Sequence, residues 1–184
     1  MAKLWENTEA LDTVLKTLKN KAAGTGKLRL DFNNSMASAI SSYTFADCEE
    51  LGIVAFPKCV YIGSHAFDNC SNLSAATFAQ CAVNEYAFNN CTNLIVFDML
   101  SAHYGASGYI AANAFAGCTN LQRVNLYPDN MVSLEGPEAF GLHCPEIWVS
   151  SKALSAYVAD DTWGRLATNM QVLPETLEEE IASE

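Results

Sequence analysis

One phrase recurs along this 184-residue chain, and it limits the possible folds more than any other feature. It reads AISSYTFADCEELGIVAF from Ala39, YIGSHAFDNCSNLSAATF from Tyr61, AVNEYAFNNCTNLIVFDM from Ala82 and YIAANAFAGCTNLQRVNL from Tyr109. A degraded copy, LEGPEAFGLHCPEIWV, starts at Leu134. The shared frame is an aliphatic residue, Phe five residues later, Cys three after that and Leu three further on. Two apolar positions then follow the Leu by three and five residues. The aligned columns are Ile40/Ile62/Val83/Ile110, Phe45/Phe67/Phe88/Phe115/Phe140, Cys48/Cys70/Cys91/Cys118 and Leu51/Leu73/Leu94/Leu121. Two strand columns complete the frame: Val54/Ala76/Phe97/Val124 and Phe56/Phe78/Met99/Leu126.

Successive Phe residues lie 22, 21, 27 and 25 positions apart. A unit of that length, pairing one alternating strand with a short turn, cannot bury its apolar face alone and must stack on its neighbours. Period-2 placement turns the Leu and the two strand residues inward, and the Phe and Cys fill the interior from the opposite half of the coil. The expected fold is an α/β repeat solenoid of about five coils with a parallel sheet on its concave face. At about 4.8 Å per strand, that sheet is roughly 20–25 Å across.

The frame I-x-x-x-A-F-x-x-C-x-x-L-x-x-V-x-F resembles the BspA-type leucine-rich repeats, most closely in "AFxxCxNL" at Ala66–Leu73, Ala87–Leu94 and Ala114–Leu121. The resemblance runs over about residues 38–173. It includes Ile147–Leu166, which looks like the family's C-terminal cap: an Ile-x-Val strand, a short helix carrying Tyr157, then Trp163. It implies a module for adhesion or protein–protein contact. Two departures stand out. Phe140 and Cys144 are four residues apart instead of three, and an insertion at Ser101–Gly108 follows the third coil.

The ends are read separately. Residues 8–22 have the spacing of an amphipathic helix, with Leu11, Val14, Leu15 and Leu18 on one side and Gly24 and Gly26 as its stop. A short Leu28–Leu30 segment and a second helical stretch near Ser35–Ser41 follow. The chain thus divides into an N-terminal helical cap or module (1–37), repeats (38–150), a C-terminal cap (151–173) and an acidic tail (174–184). Leu11, Leu15, Leu18, Lys21, Gly24, Lys27, Leu28, Met36, Ala39 and Ile40 also resemble a short N-terminal module of phage and prophage tail-associated proteins.

Catalytic and metal chemistry find little support. Six of the seven cysteines fall in repeat columns, Cys59 and Cys81 forming a second one; a line of thiols on successive coils does not converge on a zinc ion. They are expected to be reduced, small and structural. His65, His103 and His143 have no ligand-spaced partner, and His65 shares a column with Tyr43, Tyr86, Asn113 and Glu138 that reads as solvated. Ala23–Lys27 lacks the phosphate-loop spacing. Ser107 sits in an insertion, not on a strand–turn–helix elbow. No enzyme activity, metal or cofactor is expected. Asn72, Asn93 and Asn120 stand just before the Leu, where an amide can bond turn backbone.

Ten basic against 21 acidic residues, without a Lys/Arg cluster, argue against nucleic acid and anionic membranes. No apolar run reaches the length of a membrane span, and the N-terminus lacks the apolar core of a secretory signal. The chain is expected to be made in the cytoplasm and to be virion-associated if the tail-module resemblance holds.

Between the buried strand residues lie those that face outward. The central row is Ala55, Thr77, Asp98, Asn125 and Trp148, flanked by Ile53/Ala75/Val96/Arg123 and by Pro57/Ala79/Leu100/Tyr127. This concave face is apolar at the N-terminal coils and polar-aromatic at the C-terminal ones. Asp98, Arg123, Asn125, Tyr127 and Trp148, with His103 and Tyr104 from the insertion, form the candidate contact surface for a protein or glycan. Trp148 has a second reading, as core under the cap beside Tyr157 and Trp163. The function expected is a non-catalytic binding module; the alternative is a structural or assembly protein that contacts a second copy of itself or a neighbouring virion subunit.

Overall fold

A computed structural model describes residues 28–31, 38–101 and 108–174 of the chain. The helix expected over 8–22 and the acidic residues past Pro174 lie outside these, as do His103 and Tyr104. The long strands are Leu28–Asp31 (β1), Leu51–Phe56 (β3), Ala75–Phe78 (β5), Val96–Met99 (β7), Arg123–Leu126 (β9), Glu146–Val149 (β11) and Met170–Val172 (β12). They form one seven-stranded sheet in that order, every pair parallel. Two-residue strands lie between them in sequence: Ala39–Ile40 (β2), Tyr61–Ile62 (β4), Ala82–Val83 (β6), Tyr109–Ile110 (β8) and Ser133–Leu134 (β10). These make a second parallel sheet of five strands. Each coil thus runs long strand, short strand, turn, and the architecture is a leucine-rich-repeat solenoid.

Ladder register places like on like. Val54 pairs with Ala76, Phe97 and Val124 in succession, and Ile40 with Ile62, Val83 and Ile110. All six inward columns are buried and belong to one apolar core. The Phe column is a continuous stack: Phe45–Phe67, Phe67–Phe88, Phe88–Phe115 and Phe115–Phe140 have ring centroids 5.1, 5.0, 5.3 and 5.8 Å apart. Phe78 and Phe97 meet it edge-on from the strand side. Such pairs contribute about 0.5–1.5 kcal/mol each beyond the burial of their area.

The Cys column is more than apolar filling. Three of its four thiols donate to the carbonyl of the Phe one coil earlier: Cys70 to Phe45 at 3.1 Å, Cys91 to Phe67 at 3.1 Å and Cys118 to Phe88 at 3.0 Å. All seven cysteines are free thiols. Burial pushes Cys91 well above the ordinary thiol range, and neighbouring Cys118 and Cys70 add to the shift. Cys144 leaves the column. The extra residue lies in the turn at 141–143, which follows the 3-10 segment Pro137–Phe140 and opens on Gly141 with φ of 71°. The Asn column bonds as its position implies, Asn72 to Glu49 O, Asn93 to Ser71 O and Asn120 to Thr92 O, at 2.7–2.8 Å.

Two turn columns hold left-handed backbone. Asp47, Asn69, Asn90 and Gly117 form one, all residue types that tolerate positive φ. At Gly117 (φ 72°) a Cβ would run into Asn90 Oδ1, so glycine is required on two counts. Tyr43, His65, Tyr86 and Asn113 form the other, with φ of 57–61°. This column is exposed or partly exposed, as expected of a solvated position, and its rings also stack. Tyr43 and His65 stack at 4.9 Å and His65 and Tyr86 at 5.1 Å, while His65 Nδ1 bonds Asp68 Oδ2 at 2.8 Å.

Three expectations change. The helical stretch near Ser35–Ser41 is not helical over its described part, because Ala39–Ile40 carries the first rung of the aliphatic column and pairs with β4. Val60 N donates to Ser38 O and Gly63 N to Ile40 O, committing that backbone to the ladder. Leu28–Asp31 is a sheet strand paired with β3, so the sheet starts ten residues before the boundary drawn at 38. At the other end, Met170–Val172 adds a strand beyond the last repeat.

The C-terminal cap has the expected parts. A helix, Leu154–Ala159, carries buried Tyr157, and the 3-10 segment Trp163–Asn169 begins with buried Trp163. Both aromatic heads bond the Val132 peptide: Val132 N donates to Tyr157 Oη at 2.9 Å and Trp163 Nε1 donates to Val132 O at 2.6 Å. Trp163 lies against Phe140 and so closes the Phe stack.

Candidate functional site

Strand register sets the outer face of the seven-stranded sheet residue by residue. Ala55, Thr77, Asp98, Asn125, Trp148 and Gln171 are successive partners along the central row. Ile53, Ala75, Val96, Arg123 and Glu146 follow in the row beside it. Trp148 therefore stands on this face, half-buried, and the cap core contains Tyr157 and Trp163 without it. Strand β11 decides the matter: Ile147 and Val149 alternate with Trp148 and take the inward positions.

A polar network ties three strands together. Asn125 Nδ2 donates to Asp98 Oδ1 at 2.7 Å, and Thr77 Oγ1 donates to Asp98 Oδ2 at 3.3 Å. Asn125 is itself only 9% exposed, so it serves mainly to hold Asp98. Burial pushes the Asp98 carboxyl up from its ordinary value, against the lowering effect of those two bonds and of the Arg123 charge. Tyr127, half-buried, has its phenol pushed up to about 12 by burial and then by the Asp98 charge, so it is a proton donor at neutral pH.

Arg123 lowers Asp98 by its charge without forming an ion pair with it, and its own contacts are with Trp148 and Glu146. Its guanidinium carbon lies 4.8 Å from the Trp148 ring centroid, and Nη2 is 3.8 Å from Glu146 Oε2. Glu146 also accepts from Trp148 Nε1 at 3.1 Å. Arg123 and Glu146 are half exposed or more, so this ion pair contributes little to stability and mainly fixes orientation. Sequence reading missed Glu146; its position two residues before Trp148 on one strand puts both on the same face, and that spacing was the available signal.

The surface thus brings Asp98, Arg123, Asn125, Tyr127 and Trp148 onto three adjacent strands, or their immediate continuation. Ser101 Oγ donates to Tyr127 O at 3.0 Å, anchoring the start of the insertion beside Tyr127. His103 and Tyr104, in that insertion, lie outside the described residues. Among the described residues no cluster of His, Cys, Asp or Glu has a metal-holding arrangement, and no helix is long and apolar enough to cross a membrane.

Compared with known families, residues 27–140 match six copies of the BspA-type leucine-rich repeat region. The chain belongs to this family. The match begins one residue before β1, so the matched region takes in Leu28–Asp31, and it counts six copies where the Phe column shows five. It ends at Phe140, before the cap. It lends no support to a tail-associated module at the N-terminus. No curated protein matches the chain.

Proposed function

We propose that this BspA-type chain is a non-catalytic binding module that engages a protein partner through the outer face of its long-strand sheet, at the C-terminal coils. The observation that carries this reading is the placement of Arg123, Tyr127 and Trp148 on β9, its continuation and β11. Arg, Tyr and Trp are the residue types that supply most interface energy when a partner buries them. Here they are held in register by a rigid sheet, so little side-chain freedom remains to be lost on binding. Family membership supports a protein-binding or adhesion role in general terms. A glycan is the alternative class of ligand for the same face, and a place on a phage particle rests only on the resemblance of residues 11–40 to tail-associated modules.

Self-assembly is the competing reading, and the apolar row Ile53/Ala75/Val96 on the same face favours it. Proteins retained by the immobilised chain from extracts of its source would be tested against Arg123→Ala/Tyr127→Ala. The expected result is at least a tenfold loss of affinity with an unchanged melting temperature. Unchanged affinity at an unchanged melting temperature would put binding elsewhere, and a stable dimer that buries this face by itself would favour assembly.

A further inference from the structure

Asp98 occupies the centre of the outer sheet face, yet it forms no ion pair among the described residues. Its two bonds come from neutral donors, Asn125 and Thr77. The one cation near it, Arg123, lies against Trp148 and Glu146 instead. Other cations are scarce: residues 59–122 contain no Lys or Arg, and residues 38–174 carry four basic against twelve acidic side chains. Half-buried negative charge is costly unless a counter-charge reaches it. Arg123 offsets the Asp98 charge only from a distance, so a cation in direct contact would come either from residues 1–37, which hold the chain's other six basic side chains, or from a bound partner.

We infer that Asp98, oriented by Asn125 and Thr77 and flanked by Tyr127, is the position that receives a cationic side chain of the bound partner, which is therefore a protein segment carrying Arg or Lys. The geometry suits one such group. Asp98 offers lone pairs on both oxygens, since each takes one bond from within the sheet. Tyr127 follows Asn125 by two residues, and its phenol feels the Asp98 charge, so a carboxylate and a ring are available to one guanidinium or ammonium group. The neighbouring apolar positions Val96 and Leu100 suit the aliphatic stem of such a side chain. Discrimination follows as well, because an acidic or neutral segment would leave the carboxylate desolvated and unpaired.

This inference rests on the outer face being the binding surface, and its test separates the two. The probe is N-acetylarginine amide, titrated into the 15N-labelled full chain and followed by NMR at the Asn125 side-chain amide. N-acetylcitrulline amide serves as the neutral isostere. The expected result is a saturable shift of the Asn125 amide with the arginine probe, at least tenfold weaker or absent with citrulline. Asp98→Asn should abolish that shift, whereas Asp68→Asn, which removes the same charge from the turn edge, should leave it intact. Equal response to arginine and citrulline in the unaltered chain overturns the inference without recourse to any variant. So does an unchanged response in folded Asp98→Asn. Neither outcome touches the binding-face reading, which stands or falls on the affinity of Arg123→Ala/Tyr127→Ala for the retained partner.

Discussion

At the scale of single residues, stability concentrates in the stacked columns. Phe88 and Phe115 are fully buried and stack on rings above and below, so truncating either leaves a cavity that neighbours on adjacent coils cannot fill. Phe88→Ala or Phe115→Ala is expected to cost about 3–5 kcal/mol in urea unfolding, a large share of a domain's total. A loss below about 1 kcal/mol at both would contradict the register. Asp98 works in the opposite direction. Its folded-state carboxyl is held above the ordinary value of 3.8, so between those two values the native chain binds more protons than the unfolded one. Stability due to this group therefore falls as pH rises through that interval. Asp98→Asn is expected to melt at or above the unaltered chain at pH 7, and the unaltered chain should gain on the variant as pH falls toward 4. Thermal melts at the two pH values check this; a variant that melts lower at pH 7 would contradict the assignment.

At the scale of elements, the period of the repeat made most of the fold readable. Inward residues recur in fixed columns, and a strand's alternation assigns its outward residues by elimination, which is how Asp98, Asn125 and Trp148 could be named without a structure. What escaped has physical reasons. Two-residue strands such as Tyr61–Ile62 are too short to show alternation, so the second sheet surfaced only as an aliphatic column. Left-handed backbone at Tyr43, His65 and Tyr86 goes against the preference of bulky side chains, so their column carried no turn signal, whereas Asn69 and Asn90 did. Leu28–Asp31 lacks the Phe-Cys frame in the residues before it, and Met170–Val172 lies beyond the repeats. The cap yields a prediction at this scale. Tyr157→Phe removes the hydroxyl that accepts from the buried Val132 N–H while keeping the ring, and should cost about 1–3 kcal/mol. Urea unfolding followed by circular dichroism measures it; a change under about 0.5 kcal/mol would mean that the Val132 bond does not hold the cap.

At the scale of the whole molecule, two sheets share one core and leave two different outer surfaces. The short-strand side exposes Tyr61, and the turn edge exposes Tyr43. The long-strand side presents Tyr127 and Trp148 beside an apolar stretch. Light scattering of the purified chain is expected to report a monomer, leaving the long-strand face open; a defined dimer would give that face to a second copy. The account's central claim is that partners bind on this face and not on the other. Hydroxyl-radical footprinting of the chain, free and with its retained partner, tests it most directly. Oxidation of Tyr127 and Trp148 is predicted to fall at least threefold in the complex while Tyr43 and Tyr61 keep their free-state rates. Protection of Tyr43 and Tyr61 with Tyr127 and Trp148 unchanged would contradict the account.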